Sequence, residues 1–196
     1  MKKIFILFFI VTSIMFSQSE HEKIATDIVP GILKANSAHQ DRLLEIIGFV
    51  QNYNELLSDK YIKSVEKVTH GNVPYEICEE IVSYGGDMQI MGTVDMNLSY
   101  ILDLTQSYFS IYELADIIRN DNNSQKKYLS RLLEQSNNLN EELRDKYDWV
   151  LSVEEYYVDS ASDKVKNIVS DIKILFKEML EYYSVVNANL LSMQKI

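Results

Sequence analysis

One stretch of the sequence, from Ser152 to Leu191, constrains the fold more than any other because its apolar residues recur at steps of three and four. That spacing is typical of one face of an α-helix. Neither proline nor glycine interrupts the stretch, and charged and amide side chains fill most of the remaining positions. The pattern predicts an amphipathic helix about 60 Å long, which favours an elongated bundle. Its buried face is expected to comprise Val165, Ile168, Ile172, Leu175, Met179, Tyr183, Val186 and Leu190.

The first residues have the form of a secretory signal peptide. Two lysines precede the apolar run 4–16, and Ser-Gln-Ser then places small residues before a cleavage site at Glu20. The run is shorter than the roughly 20 residues that span a bilayer, and no cysteine directly follows it. We therefore expect a cleaved leader over 1–19 rather than a membrane anchor or a lipoprotein signal. The mature protein is expected to be periplasmic or extracellular and to have no transmembrane segment.

The composition narrows both the fold class and the partners. The chain has 29 acidic and 19 basic residues and a formal net charge of −10. Such a chain repels nucleic-acid phosphates, so direct nucleic-acid binding is not expected. Two prolines and six glycines provide too few turn residues for an all-β protein of this length. We therefore predict an all-α fold.

The single cysteine, Cys78, excludes an intramolecular disulfide. Its neighbours Ile77, Ile81 and Val82 favour a buried and inert thiol. An exported thiol could instead join two copies of the chain, and in that case the protein would be a homo-oligomer.

Turn-forming residues divide the mature chain into a flexible arm and one helical domain. The arm covers 20–31 and ends at Pro30-Gly31, and the bundle domain covers 32–196. A capping box at Ser152 and Glu155 marks either the start of the last helix or a kink before it. The domain is predicted to contain three long antiparallel helices, over 32–69, 124–150 and 152–191.

A small helical lobe is predicted between the first and second long helices, at about 73–119. Its first helix meets Gly85-Gly86, and two adjacent glycines cost a helix interior about 2 kcal/mol relative to alanines. We therefore expect a break or sharp bend there and regard Gly85 and Gly86 as a candidate hinge. A second capping box, Ser110 with Glu113, predicts another short helix in the lobe.

No constellation of residues in the sequence indicates catalysis or cofactor binding. His21, His39 and His70 form no Glu-x-x-His pair, and the first two are expected to be exposed near the arm. Adjacent carboxylates such as Glu79-Glu80 point about 100° apart on a helix, which suits a solvated face better than an acid–base pair. The sequence also lacks phosphate-binding glycine loops and nucleophile elbows. We predict no catalytic residue, no metal site and no cofactor.

Aromatic and sulfur-containing side chains are the candidate contact residues. Thirteen tyrosines occur, some as neighbours, and a neighbouring pair on a helix directs one ring to the core and the other to the rim. Outward tyrosines are enriched in protein interfaces, although the same rings can cover the apolar seams of a bundle. The methionines after Gly-Gly fit either an adaptable contact surface or a loose core. The candidate interaction residues are Tyr156, Tyr157, Tyr182, Met88 and Met91.

Four short segments, in their order and spacing over most of 40–190, carry a resemblance to a known family. They are Tyr61-Ile62-Lys63-Ser64-Val65, Ser110-Ile111-Tyr112-Glu113-Leu114, Leu132-Leu133-Glu134-Gln135-Ser136 followed by Leu139 and Leu143, and Leu180-Glu181-Tyr182-Tyr183 followed by Asn187. With the leader and the predicted order of helices, the chain resembles the periplasmic Tra-type proteins of conjugative transposons. Those proteins are similar to the minor-pilin family of type IV secretion systems.

The resemblance implies a non-enzymatic structural or assembly subunit of a DNA-transfer apparatus. Such a subunit would be a helical bundle with a small lobe, would sit at or under a pilus and would contact other envelope subunits of the secretion apparatus. The residues themselves leave a second hypothesis open, which is a free-standing periplasmic helical module that holds client proteins or a small ligand. Recovery of secretion-channel subunits from envelope extracts is expected under the first hypothesis only.

Overall fold

The computed structural model describes residues 29–69, 74–108, 122–156 and 161–194. Within these ranges it contains no strand, so the predicted all-α class is confirmed. The helices have between 32 and 41 residues, which corresponds to lengths of roughly 50–60 Å. They are α1 (Val29–Thr69), α2 (Tyr75–Tyr108), α3 (Asn122–Tyr156) and α4 (Asp163–Gln194).

Hydrogen bonds between side chains on different helices show that α1 and α2 run in opposite directions. Asn36 near the start of α1 donates to the backbone carbonyl of Thr105 near the end of α2. Ser64 near the end of α1 donates to Glu80 near the start of α2. The hydrogen-bonded pairs of α3 and α4 run in reverse order too, so these helices are also antiparallel: Asn140 with Ser184, and Glu154 with Lys173.

The two hairpins pack against each other through α1 with α4 and through α2 with α3. Tyr183 of α4 donates to Asn36 near the start of α1 at 2.9 Å, whereas Tyr53 in the middle of α1 lies 3.3 Å from the hydroxyl of Ser162, just before α4. The four helices therefore alternate in direction and form an elongated antiparallel bundle. Contacts within each hairpin are more extensive than contacts between hairpins, and between the hairpins α2 and α3 pack more extensively than α1 and α4.

The core confirms the buried face that was predicted for the last helix. All eight predicted residues, from Val165 to Leu190, are at most 6% exposed. Helical spacing in the sequence also predicts inward faces for α1 and α3, and every residue of these faces is buried or half-buried. They are Leu43, Ile47, Val50, Leu57, Tyr61, Val65 and Val68 in α1, and Leu129, Leu132, Ser136, Leu139, Leu143, Tyr147 and Val150 in α3. Because each fully buried Leu or Ile side chain contributes about 1.5–3 kcal/mol, this shared apolar stripe dominates the stability of the bundle.

The segment that follows α1 is not a small lobe within the described residues. Residues 75–108 form one long helix, and α2 runs unbroken through Gly85 and Gly86. The predictions of a lobe and of a helix break at these glycines are therefore wrong. α2 buries Met91, Leu98 and their neighbours in the core, and this packing outweighs the propensity cost of about 2 kcal/mol. A hinge motion at the glycine pair stays a prediction.

The last helix begins later than predicted. α3 continues past Ser152, whose hydroxyl donates to the carbonyl of Asp148 one turn earlier. The predicted helix start at residue 152 is therefore wrong, and α4 begins at Asp163. Ser162 occupies the N-cap position, because its hydroxyl lies 3.5 Å from the backbone N–H of Val165.

The first helix begins earlier than predicted. α1 starts at Val29, so residues 29–31 of the predicted arm belong to the helix. Pro30 lies in the first turn, where its missing N–H costs no intrahelical hydrogen bond. The Pro30-Gly31 pair therefore opens the helix instead of preceding it.

Several sequence predictions lie outside the described residues. These are the leader over 1–19, the remainder of the arm over 20–28 and the capping box of Ser110 with Glu113. In the part of the chain that the structure describes, no helix combines the length and the hydrophobicity of a membrane span.

A buried polar network joins α1, α2 and α4 near one end of the bundle. The Tyr183 hydroxyl donates to Asn36 Oδ1 at 2.9 Å, and Asn36 Nδ2 donates to the carbonyl of Thr105 at 3.1 Å. The His39 ring lies 3.4 Å from the same hydroxyl through Nδ1 and packs edge-on against Tyr182. Because Asn36, Thr105 and Tyr183 are buried, their hydrogen bonds hold three helices in one register.

His39 is half-buried instead of exposed as predicted. Burial lowers the pKa of its imidazole below the ordinary value of about 6.5, and Arg42 adds to this effect while Glu178 opposes it. The folded state therefore favours neutral His39. Its contribution to stability is complete above about pH 6.5 and is lost as the pH falls through that value towards the folded-state pKa.

We expect the His39→Gln variant to lose part of the acid sensitivity of the wild type between about pH 7 and pH 5. Thermal melts followed by circular dichroism across this range measure the difference. The comparison isolates one imidazole because every carboxylate is common to the two proteins. The same pH dependence of the melting temperature in both proteins would contradict the prediction.

Candidate binding cavity between α2 and α3

A cavity of about 340 Å³ lies where α2 meets α3 and the residues that precede α4. The α2 wall extends from Val82 to Thr93. The described wall also includes Trp149 and Val153 of α3 and Ala161 at the approach to α4. Its volume is within the range of about 300–1,000 Å³ that is usual for small-molecule sites.

The cavity exists because small residues cluster beside the only tryptophan of the chain. Ser83, Gly86 and Ala161 line the space together with Trp149, and their side chains are too small to fill it. A Cβ atom added at Gly86 would meet no atom within 4 Å. Gly86 therefore contributes to the site by leaving it open, and a larger residue could be placed there without a clash at its Cβ.

One carboxylate lies in the cavity wall. Asp87 is only 2% exposed, and its Oδ1 accepts a hydrogen bond from the backbone N–H of Ser162 at 3.1 Å. This contact places a carboxylate at the N-terminus of α4, where the helix dipole favours negative charge. The ion pairs among the described side chains join other residues, Arg42 with Glu178 and Lys173 with Glu154.

Beside the cavity, α2 presents exposed apolar side chains, which we call the α2 band. The band consists of Tyr75, Val82, Met96 and Tyr100, whose exposed fractions are 73%, 76%, 73% and 40%. Steps of seven, fourteen and four residues place them on one face of the helix. Lys146 of α3 lies over the Tyr100 ring, 5.0 Å from its centroid. α2 itself carries six acidic residues and no Lys, Arg or His.

No family model, curated protein or solved structure matches this chain. Within the described ranges, no group of three or more His, Cys, Asp or Glu side chains is placed to hold a metal ion.

The predicted contact residues are not brought together in one site. Met91 is fully buried in the core, which corrects its assignment to a contact surface, and Met88 is half-buried against the same core. Tyr182 is half-buried at the far end of the bundle, where its hydroxyl donates to the carbonyl of Gly31. The side chain of Tyr156 and the whole of Tyr157 lie outside what the structure describes.

The burial of individual side chains tests two further sequence predictions. In the Tyr182-Tyr183 pair, Tyr183 is buried and Tyr182 lies towards the rim, as the spacing on a helix predicts. The prediction of a buried thiol is wrong, because Cys78 is exposed on the first turn of α2. Its apolar neighbours Ile81 and Val82 are themselves half-buried and exposed, so they do not enclose the sulfur.

Sequence reasoning singled out Gly86 among the cavity residues, and it missed Trp149, Asp87 and Val82 as parts of a site. A signal for the α2 band was present, because apolar residues occur on every side of α2 while the other three helices are amphipathic. A helix that is apolar all round needs either complete burial or a partner.

Proposed function

We propose that this chain is a non-enzymatic exported subunit that acts through protein–protein contacts, as a minor-pilin-like structural or assembly component of a type IV secretion or conjugative transfer apparatus. The observation that carries the proposal is the α2 band. Tyr75, Val82 and Met96 are each more than 70% exposed on one face. Single exposed apolar residues are common on monomers, whereas an aligned group of large ones is typical of an interaction surface.

The composition of the band favours a protein partner. Tyrosine and methionine are enriched in interfaces, where their large side chains fill pockets of the partner. Helical spacing places the exposed residues Glu79 and Asp103 on either side of the band, and α2 has no basic residue to offset them. The complementary surface is therefore expected to combine apolar groups with lysine or arginine.

The proposed export follows from the amino-terminal sequence, and the proposed secretion apparatus follows from the family resemblance. The signal-like residues 1–19 support export, and the four segments that resemble Tra-type proteins support a place among envelope subunits. The elongated bundle agrees with a structural role, since its long sides offer surface to several neighbours.

A paired substitution in the band tests this proposal without altering the cavity. We expect the variant Tyr75→Glu with Met96→Glu to keep the wild-type melting temperature, because both side chains are exposed. It should recover secretion-channel subunits from envelope extracts about tenfold less efficiently than the wild type. Pull-down with quantitative mass spectrometry measures the recovery.

The matched control is the variant Leu56→Glu with Ile62→Glu, which places two glutamates on α1. In the wild type the side chains of Leu56 and Ile62 are 49% and 51% exposed. This control should recover the subunits as the wild type does. Equal recovery by the band variant, or the absence of secretion-channel subunits from the wild-type sample, would contradict the proposal.

A free-standing helical binding module is the second candidate function. The observation in its favour is the cavity, because a purely structural subunit has no need of an open space of about 340 Å³ beside its tryptophan. Under this alternative the purified protein is a monomer and recovers no secretion-channel subunit.

A further inference from the structure

We propose that the cavity between α2 and α3 binds an organic cation, that is, an ammonium or guanidinium group carried on an apolar chain. The inference rests on the lining of the cavity, whereas the secretion-apparatus proposal rests on the exposed band, and Val82 is the residue that belongs to both.

The charge of the lining selects the charge of the ligand. Among the described residues that line the cavity, Asp87 is the charged one, and none of them is a lysine or an arginine. Oδ1 of Asp87 accepts the Ser162 N–H, and no hydrogen bond among the described residues involves its second carboxylate oxygen. A ligand with a carboxylate or phosphate would meet this charge without compensation, whereas a cationic donor would satisfy it.

The rest of the described wall fits the apolar chain of such a ligand and also offers an aromatic ring to its cationic group. Val82, Ile90 and Val153 provide aliphatic contacts, and Trp149 provides the aromatic ring that attracts cations most strongly. The Thr93 hydroxyl donates to the carbonyl of Gln89 at 3.0 Å. Its oxygen lone pairs therefore remain available to accept an N–H from the ligand.

Trp149 also provides the measurement, because it is the only tryptophan in the chain. The probes are n-hexylammonium, 1-hexanol and hexanoate, which share one apolar chain and differ in charge. We expect hexylammonium to change the fluorescence of Trp149 at concentrations about tenfold lower than hexanol, which corresponds to one charge-assisted hydrogen bond. Hexanoate is expected to cause no change.

Two variants test whether hexylammonium binds in this cavity, and we expect opposite results from them. Gly86→Leu places a side chain in the open space and should abolish the response to hexylammonium. Gly92→Leu is the matched control, since Gly92 also lies in α2, meets no atom within 4 Å at an added Cβ and does not line the cavity. Both changes replace a helical glycine with a better helix former, so neither is expected to lower the melting temperature.

The variant Asp87→Asn tests whether the carboxylate charge attracts the cation. It should bind hexylammonium only as tightly as hexanol, and its affinity for hexanol should equal that of the wild type. The amide oxygen of asparagine can still accept the Ser162 N–H. If this variant nevertheless unfolds, the comparison of the three probes on the wild type and on Gly86→Leu still decides the question. Equal binding of the three probes, no response to any of them, or a hexylammonium response that survives in Gly86→Leu would overturn the proposal.

A competition experiment identifies the source of the cation once hexylammonium binds. A short amphipathic peptide of leucine and lysine that displaces hexylammonium at a tenfold lower concentration supports a lysine side chain of a protein partner. Displacement only at concentrations equal to those of hexylammonium supports a free amine. In both outcomes the cavity binds the cation.

Discussion

Replacement of Leu175 by aspartate is expected to unfold the bundle. Leu175 is 0% exposed and lies in the middle of the buried face of α4. The substitution removes a packed side chain and places a carboxylate in the core with no partner, which costs more than about 4 kcal/mol. Since domains of this size have total stabilities of about 5–15 kcal/mol, this loss is a large part of the total and is enough to unfold a bundle at the lower end of that range.

The neighbouring residue provides the control for this prediction. Ile174 precedes Leu175 on the same helix and is 47% exposed, so Ile174→Asp should change the free energy of unfolding by less than about 1 kcal/mol. Circular dichroism at 222 nm with thermal melts distinguishes the two variants. A cooperative melt at the wild-type temperature for Leu175→Asp would contradict the assignment of the buried face.

The second large effect is expected at Tyr183. This ring is 0% exposed, and its hydroxyl donates to Asn36 at 2.9 Å. Tyr183→Ala should lower the free energy of unfolding by about 3–5 kcal/mol, because it leaves a large cavity in the core. Tyr183→Phe keeps the ring but leaves Oδ1 of Asn36 without its donor, at a cost of about 1–3 kcal/mol.

Tyr182 is the matched control for the hydroxyl group. Its own hydroxyl donates to the carbonyl of Gly31 at 3.3 Å in an exposed contact, where water can replace it. Tyr182→Phe should therefore change the free energy of unfolding by about 0.5 kcal/mol or less. Urea unfolding measures all three variants, and equal costs for the two phenylalanine substitutions would show that the buried network contributes nothing specific.

The part of the fold that could be predicted was the set of helices whose apolar residues recur at a regular helical spacing. The spacing from Val165 to Leu190 identified the inward face of α4 residue by residue, because a helix of 3.6 residues per turn repeats its orientation within each short stretch. Ser152 shows where such local reasoning failed. Its capping-box sequence is compatible with a helix start, yet the apolar contacts of Val153 keep α3 going past it.

The glycine pair in α2 shows why propensity alone misjudged the second helix. Gly85 and Gly86 cost about 2 kcal/mol in a helix interior. Met91, Val94 and Leu98 are each at most 1% exposed in the same helix, and each buried side chain contributes about 1.5–3 kcal/mol. The tertiary sum is therefore larger than the local cost, and α2 remains continuous.

Taken alone, the sequence determined the all-α class and the inward faces of three helices, since both follow from the spacing of apolar residues along the chain. The tertiary structure decided that α2 is a full member of the bundle and that Gly86, Asp87 and Trp149 share one cavity. Those features depend on residues far apart in the chain, and their contacts arise only when three helices are packed in a particular register. The same packing leaves Val82 at the surface of α2, where it is 76% exposed although its side chain is apolar.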